Sequence, residues 1–138
     1  MSPVLLDTNV LSELVRPRPD MRVETFVRNQ GDPLISVLTI HEIAYGADRA
    51  RDPARRSKLM AWVAGIKARF DGRIIEIDTS IAEQAGRMRV LAESQAAPAD
   101  PIDALIAASA TSRGALVATR NVSDFVAFGV GIVDPWAA

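Results

Sequence analysis

Four carboxylate side chains in this sequence each lie near a helix start that follows a strand-like or turn-like segment. They occur in LLDTNVLSEL, TIHEIAYG, DPIDALIAAS and TRNVSDF, as Asp7, Glu42, Asp103 and Asp124. In an open α/β sheet, such positions converge at the carboxyl ends of the parallel strands, where ligands bind. Because the chain has no Cys and one His, this cluster favours a hard divalent cation bound by oxygen ligands. The predicted chemistry is metal-dependent phosphodiester hydrolysis.

The predicted elements explain how these side chains would meet. Strands are expected at residues 4–6, 34–37, 73–77 and 115–118, with a weaker one at 131–133. Helices are expected between them, at 10–15, from 21, at 39–50, 54–70 and 80–94, and from 101 to before Gly114. Strands that alternate with helices predict an α/β fold, with a mostly parallel four- to five-stranded sheet covered on both faces.

Taken singly, each acid is better explained as a helix cap than as a ligand. Segments 39–42 and 100–103 match capping patterns, in which a cap side chain and an acid at the third helical position bind free backbone amides. Asp7 and Asp124 suit the positive ends of their helices. The set favours a site, because caps need not be acidic and crowded carboxylates repel one another unless a cation binds them.

Polar residues beside the acids extend the same predicted rim. Thr8 and Asn9 follow Asp7, and Thr119, Arg120 and Asn121 follow the fourth strand. Their side chains are suited to orienting water or phosphate.

Together these segments resemble the PIN-domain ribonucleases, and especially the VapC toxins of bacterial toxin–antitoxin pairs. LLDTNVLSEL, TIHEIAYG, IDALIAASA and TRNVSDF…VDPW occur in that family's order over nearly the full length. The resemblance implies a PIN-like three-layer α/β/α sandwich, here one domain over residues 1–138. It also implies that Asp7, Glu42, Asp103 and Asp124 form the acidic metal site, supported by Thr119 and Asn121.

The resemblance further implies a magnesium-dependent (Mg²⁺) endoribonuclease, with Mn²⁺ as a plausible substitute, acting as the toxin of a type II VapBC system. It implies a cognate VapB-type antitoxin, a homodimer, and contact with DNA only through the antitoxin. One departure is Asp100, an additional acid where many relatives carry a small or apolar residue. Asp100 is interpreted as an N-cap, with a supporting role behind the metal site as the alternative.

Arginines supply the candidate RNA contacts, although the net charge is −1. A basic run at residues 49–58 supplies the candidates Arg49, Arg51, Arg55 and Arg56. The other candidates lie elsewhere in the chain and are Arg16, Arg18 and Arg120. The competing interpretation of the basic run is an ordinary solvated surface. With 5% aromatic residues, the sequence offers no evident stacking platform, so recognition would depend on backbone charge and RNA shape.

The sequence also argues against several other functions. Without Cys there is no disulfide, thiol catalysis or thiolate zinc site. The absence of a membrane-length apolar run and of a signal-peptide pattern leads us to expect a cytoplasmic protein that does not contact membranes. A haloacid-type phosphatase would need an acid where Asn9 stands, and a receiver domain would need a Lys after Lys67.

Three further residues are assigned structural roles. His41 is predicted to be a partly buried or surface residue and not a general base, because it lies about 100° away from Glu42 around a helix. Trp62 lies in an apolar stripe that is either core or a partner surface, and Trp136 is predicted to be a packing anchor. The alternative function is a catalytically silent module that binds RNA or antitoxin.

Overall fold

Short parallel strands form the centre of the molecule, and helices follow them in sequence. The computed structural model describes residues 2–137. In chain order the elements are β1 (Val4–Leu6), α1 (Thr8–Leu14), α2 (Met21–Arg28), β2 (Ile35–Ser36), α3 (Val37–Arg49), α4 (Pro53–Arg69), β3 (Ile74–Ile75), α5 (Thr79–Ser94), α6 (Pro101–Ser112), β4 (Leu116–Ala118), α7 (Val122–Phe125) and β5 (Ile132–Val133), with a 3₁₀ turn at Val126–Phe128.

All of these strands run parallel. β4 pairs with β1 and β5, and β2 pairs with β3. A parallel bridge between Leu5 and Leu34 joins the two groups, with the Leu6 amide donating to the Leu34 carbonyl at 2.8 Å. The order across the sheet is therefore β3–β2–β1–β4–β5, which confirms the predicted parallel sheet. The chain order reverses between β1 and β4, and that reversal point is where α/β sheets bind ligands.

Each face of the sheet carries its own hydrophobic core. Successive side chains of a strand point to opposite faces. Leu5 and Val117 therefore pack with α5 and α6, whereas Leu6 and Ala118 pack with helices α1 to α4. These two cores confirm the three-layer α/β/α sandwich, while the extent of the domain over residues 1–138 stays a prediction. None of the helices described between residues 2 and 137 is long and apolar enough to span a membrane.

Helix α3 begins earlier than its sequence predicts. The Ser36 hydroxyl accepts a hydrogen bond from the Leu38 amide at 3.1 Å, so Ser36 is the N-cap and the helix starts at Val37. The predicted start at Thr39, with Glu42 in a capping box, was wrong. Thr39 is fully buried inside the first turn, and Glu42 is left in the second turn, where it caps nothing.

Other boundaries also differ from the prediction. Helix α1 begins at Thr8, two residues before the predicted helix at 10–15, and Asp7 caps it by accepting from the Thr8 amide. The predicted third strand at 73–77 contains only Ile74–Ile75, because its partner β2 is itself two residues long. Asp20 caps α2, and the predicted N-cap Asp100 is confirmed in α6.

Candidate active site

Asp7 lies at the reversal point of the sheet and is held by an extensive hydrogen-bond network. Its backbone amide donates to the Ala118 carbonyl at 2.9 Å, which fixes it against the end of β4. Asp7 is buried, with 7% of the residue exposed. Oδ1 accepts from the Thr8 amide at 2.9 Å, and Oδ2 accepts from the Thr119 hydroxyl at 2.8 Å. Strand β4 thus orients the carboxylate that β1 supplies.

Asn9 and Thr119 link helix α1 to the loop after β4. Asn9 Nδ2 lies 3.3 Å from both Asp7 Oδ2 and Thr119 Oγ1. The Asn121 amide donates to Thr119 Oγ1 at 3.0 Å, and the Arg120 amide donates to Asn9 Oδ1 at 3.4 Å. The structure therefore brings together the polar residues that the sequence placed around Asp7.

Glu42 reaches the site from helix α3. The Thr8 hydroxyl donates to Glu42 Oε1 at 3.0 Å and lies 3.2 Å from the Thr39 hydroxyl. Buried Thr39 therefore supports Thr8, and Thr8 orients Glu42. His41 is exposed, as its helical position predicted.

Asp103 and Asp124 complete the set from the other side of the sheet. Asp103 lies half-buried in the first turn of α6. The Asp100 side chain caps that helix by accepting from the amides of Ile102 and Asp103, at 2.9 and 3.0 Å. Asp124 lies in the first turn of α7, and its amide donates to the Asn121 carbonyl at 3.0 Å.

Three of these carboxyl groups have raised pKa values, and their mutual repulsion contributes to each. Burial and then the charges of Asp100, Asp7, Asp124 and Glu42 raise the pKa of Asp103 to about 7. Burial is also the main cause that raises the pKa of Asp7 and of Glu42, against hydrogen bonds that lower it. Among the described residues, no Arg or Lys forms an ion pair with Asp7, Glu42, Asp103 or Asp124. No ion pair therefore neutralises these four carboxyl groups.

A cleft of about 450 Å³ opens over the carboxylates. Its lining consists of Asp7, Thr8, Asn9, Ser12, Glu13, Arg16, Glu42, Asp103, Arg120, Asn121 and Trp136. Asp124 is not part of this lining, although its charge raises the pKa of Asp7 and Asp103.

Ser12 and Glu13 were not predicted to line the site, and Trp136 was predicted only to be a packing anchor. Asn9, Ser12 and Glu13 are three and four residues apart, so helical periodicity alone could have placed them on one face. Trp136 is 7% exposed, as a packing anchor should be, yet its ring lies 5.1 Å from the Arg120 guanidinium at the cleft. No local pattern indicated that pairing.

Comparison with known proteins agrees with this geometry. Residues 4–128 match the family model of the PIN domain. The chain belongs to the PIN-domain family. It is 32% identical over 133 residues to the tRNA(fMet)-specific endonuclease VapC of Shigella flexneri, covering 96% of this chain and 97% of that protein.

Two solved structures are similar over nearly the whole chain. The crystal structure of FitAcB from Neisseria gonorrhoeae has a TM-score of 0.90 at 30% identity, covering 98% of this chain and 99% of that one. DNA-bound VapBC from Salmonella typhimurium has a TM-score of 0.81 at 30% identity, covering 98% and 99%. The family relationship that the sequence motifs implied is confirmed.

The donor chemistry of this PIN domain suits a hard divalent cation. Within residues 2–137, no three Asp, Glu or His side chains lie together so as to hold one ion between them. Mg²⁺ does not require three, because it keeps several waters and takes one or two carboxylates. Oxygen ligands with raised pKa values and no cationic partner fit such an ion, which would stabilise their charged forms.

Of the candidate RNA-binding arginines, two line the cleft of the PIN domain. These are Arg16 and Arg120. The remaining candidates lie outside its lining: Arg18, Arg49, Arg51, Arg55 and Arg56. Arg56 is partly neutralised by Asp48, whose carboxylate lies 3.2 Å away. Whether any of the seven contacts RNA stays a prediction.

Proposed function

We propose that this PIN domain is a metal-dependent endoribonuclease and the toxin of a type II VapBC pair. The observation that carries the proposal is an acidic cluster without ion-pair partners at the reversal point of the sheet, where burial and neighbouring carboxylates raise the pKa of Asp103 to about 7. Holding carboxylates together in this way costs stability, and the cost is offset when a cation binds. The names of the similar VapC proteins support ribonuclease chemistry.

In this mechanism Asp7 and Asp103 would be the principal ligands of Mg²⁺, for which Mn²⁺ could substitute. Glu42 and Asp124 would bind the ion directly or through water. When bound, the ion supplies an activated water and screens charge on the phosphate. The protein's own contribution is orientation: Thr119 and Asn9 fix one oxygen of Asp7, and Thr8 fixes Glu42. Asn121 lines the cleft, where its side chain can orient the phosphate or water.

The direct test uses antitoxin-free protein and a pool of small RNAs, with Mg²⁺ or with EDTA. We expect cleavage only with Mg²⁺, and its loss in Asp7→Asn and Asp103→Asn variants that remain folded. Asp32→Asn is the matched control, because it makes the same chemical change at an exposed position before β2. Equal cleavage by all variants would contradict the proposal, and mapping the cuts would identify the substrate.

The alternative is a catalytically silent module with the same fold, which binds RNA or antitoxin. The presence of all four acids argues against it. It becomes the better interpretation if the purified protein binds RNA but no RNA is cut with Mg²⁺ after any copurifying antitoxin has been removed.

The proposed partner is a VapB-type antitoxin, through which the pair would reach DNA. The similar Salmonella protein is a VapBC complex bound to DNA, which supports such a pairing. A homodimer is part of the same proposal. Light scattering coupled to size exclusion, on the protein alone and with a coexpressed antitoxin, tests both assemblies.

Asp100→Asn distinguishes a role of Asp100 as the N-cap of α6 from a role in support of the metal site. Asn is as good an N-cap as Asp, so folding should be preserved while one negative charge is removed. Because the Asp100 charge raises the pKa of Asp103, we expect the acid limb of the pH–rate profile to move to lower pH. The maximal rate should change by less than about threefold, since hydrogen bonding of the cap is retained. A loss well beyond tenfold would instead place Asp100 in the metal site.

A further inference from the structure

Arg120 presents an ordered positive charge at a cleft dominated by carboxylates. Its guanidinium lies over the Trp136 ring at 5.1 Å from the centroid, a distance at which cation–π attraction operates. Arg120 is the residue after Thr119, and its backbone amide donates to Asn9 Oδ1 at 3.4 Å. Within residues 2–137 no carboxylate forms an ion pair with Arg120. The guanidinium is therefore positioned by an uncharged surface and retains its full charge for a ligand.

Trp136 is itself held firmly. Strand β5 ends at Val133, and the Asp134 side chain then accepts a hydrogen bond from the Trp136 amide at 2.9 Å. Trp136 as a whole is 7% exposed and packs in the core on the α1–α4 face of the sheet. A residue this buried offers little surface on which a base could stack. The Trp136 ring can instead orient the Arg120 side chain, which lies over it.

Arg16 is the second cationic side chain of the cleft, and its ion pair with Glu13 makes it a weaker site for a phosphate than Arg120. It donates to Glu13 Oε1 at 3.3 Å, and its side chain is 65% exposed. Glu13 is buried, and its other oxygen accepts from the Asp20 amide at 2.9 Å. Arg16 is thus located by a fixed carboxylate that also neutralises part of its charge.

The carboxylates of this cleft repel the phosphates of an RNA strand. Only the guanidinium groups of Arg16 and Arg120 attract them. A metal ion would engage the phosphate that reacts, but an RNA strand carries further phosphates on either side of it. A planar guanidinium can bind phosphate oxygens through two parallel hydrogen bonds. The ligand chemistry that fits Arg120 is therefore a phosphodiester of the same strand.

We propose that Arg120 binds the phosphate of a nucleotide next to the bond that is cleaved, and that Trp136 is the positioning residue that orients Arg120. Arg16 contributes a second and weaker phosphate contact. The inference rests on the proposed function, since it takes RNA as the substrate. It assigns to the end of the chain a part in substrate binding that is separate from the metal site.

Intrinsic fluorescence reports on this contact without requiring cleavage. The chain has two tryptophans, so Trp62→Phe leaves Trp136 as the sole emitter. In EDTA, titration with a short single-stranded RNA should change the Trp136 emission as Arg120 is engaged. On this background we expect Arg120→Gln to weaken binding about tenfold, equally for unrelated RNA sequences, and to reduce the salt-dependence slope by about one. Arg120→Lys should lie between, because it keeps the charge but loses the planar fork.

Arg87→Gln is the matched control, since Arg87 is exposed on α5 and bonds only locally to Gln84. Steady-state cleavage supplies an independent readout. We expect Arg120→Gln to raise KM about tenfold with kcat within about threefold, as for loss of a uniform binding contact. Trp136→Leu should act in the same direction and Trp136→Phe should largely restore KM, because Phe keeps an aromatic face.

The outcomes distinguish this inference from the proposed function. If the wild-type protein cleaves RNA while Arg120→Gln keeps the wild-type KM and salt slope, the phosphate contact is wrong and the nuclease assignment stands. If Arg87→Gln weakens binding as much as Arg120→Gln, the effect is general charge and the contact is again wrong. If the wild-type protein neither binds nor cleaves RNA, both proposals fail.

Discussion

Replacing Asp103 by Asn should abolish RNA cleavage and, at neutral to alkaline pH, stabilise the metal-free protein. The loss of a principal metal ligand should cost at least about 10³-fold in rate, since metal stabilisation of transition-state charge is worth several kcal/mol and each tenfold is about 1.4 kcal/mol. The gain in stability has a different origin. It arises because burial and neighbouring carboxylates destabilise the charged form of Asp103 in the folded protein.

The direction of the stability change follows from the raised pKa. In the folded protein the pKa of Asp103 is about 7, above its ordinary value of 3.8. Between those pH values the folded state binds more protons than the unfolded state, so the contribution of Asp103 to stability falls as pH rises and is lowest above about 7. Because the side chain is only half-buried, water screens the repulsion. We therefore expect Asn to gain about 1 kcal/mol at pH 8, or roughly 3–5 °C in Tm, and little below pH 4.

Thermal unfolding at pH 4 and pH 8, each with EDTA or Mg²⁺, measures this effect. Mg²⁺ should raise the Tm of the wild-type protein at pH 8, because it binds only the folded state. The rise should be much smaller in Asp103→Asn and unchanged in Asp32→Asn. If Asp103→Asn were less stable than the wild-type protein at pH 8 in EDTA, the charged form of Asp103 would not be destabilising the folded state. Full cleavage activity in that variant would remove Asp103 from the metal site.

The sequence allowed most of the site to be predicted because its residues follow strands. Asp7 and Thr119 come at the ends of β1 and β4, and parallel strands bring such ends to one edge of the sheet. Glu42 lines the cleft, but the sequence placed it in the wrong turn of its helix. Ser36 and Thr39 are both good N-caps, and only the burial of Thr39 against Thr8 decides between them.

Local sequence patterns could not predict the length of β3 or the contact between Arg120 and Trp136, because both depend on which strands pair. The apolar run at 73–77 suggests a strand of its own length, but a ladder extends only as far as its partner, and β2 is Ile35–Ser36. Likewise Arg120 and Trp136 are brought together by the pairing of β4 with β5. Neither residue carries a periodic signal that points to the other.

Thr119→Val should weaken metal binding while leaving the fold intact. Thr119 is fully buried, donates to Asp7 Oδ2 at 2.8 Å and accepts from the Asn121 amide at 3.0 Å. Val has the same shape without the hydroxyl, so Asp7 loses its shortest hydrogen bond. That bond lowers the pKa of Asp7 against the effect of burial, so removing it makes the charged, metal-binding form harder to reach. Loss of such a support typically costs about 10–100-fold in metal affinity.

The measurement is the Mg²⁺ concentration that gives half-maximal cleavage. We expect it to rise about 10–100-fold in Thr119→Val, with much of the rate recovered at saturating Mg²⁺, because every carboxylate remains. Thr119→Ser keeps the hydroxyl and should stay close to wild type, whereas Thr111→Val makes the same exchange at an exposed position of α6 and should have no effect. An unchanged Mg²⁺ requirement in Thr119→Val would mean that Asp7 is oriented without the β4 hydroxyl. A rate that extra Mg²⁺ cannot restore would mean that Thr119 acts on the substrate or the attacking water rather than through Asp7.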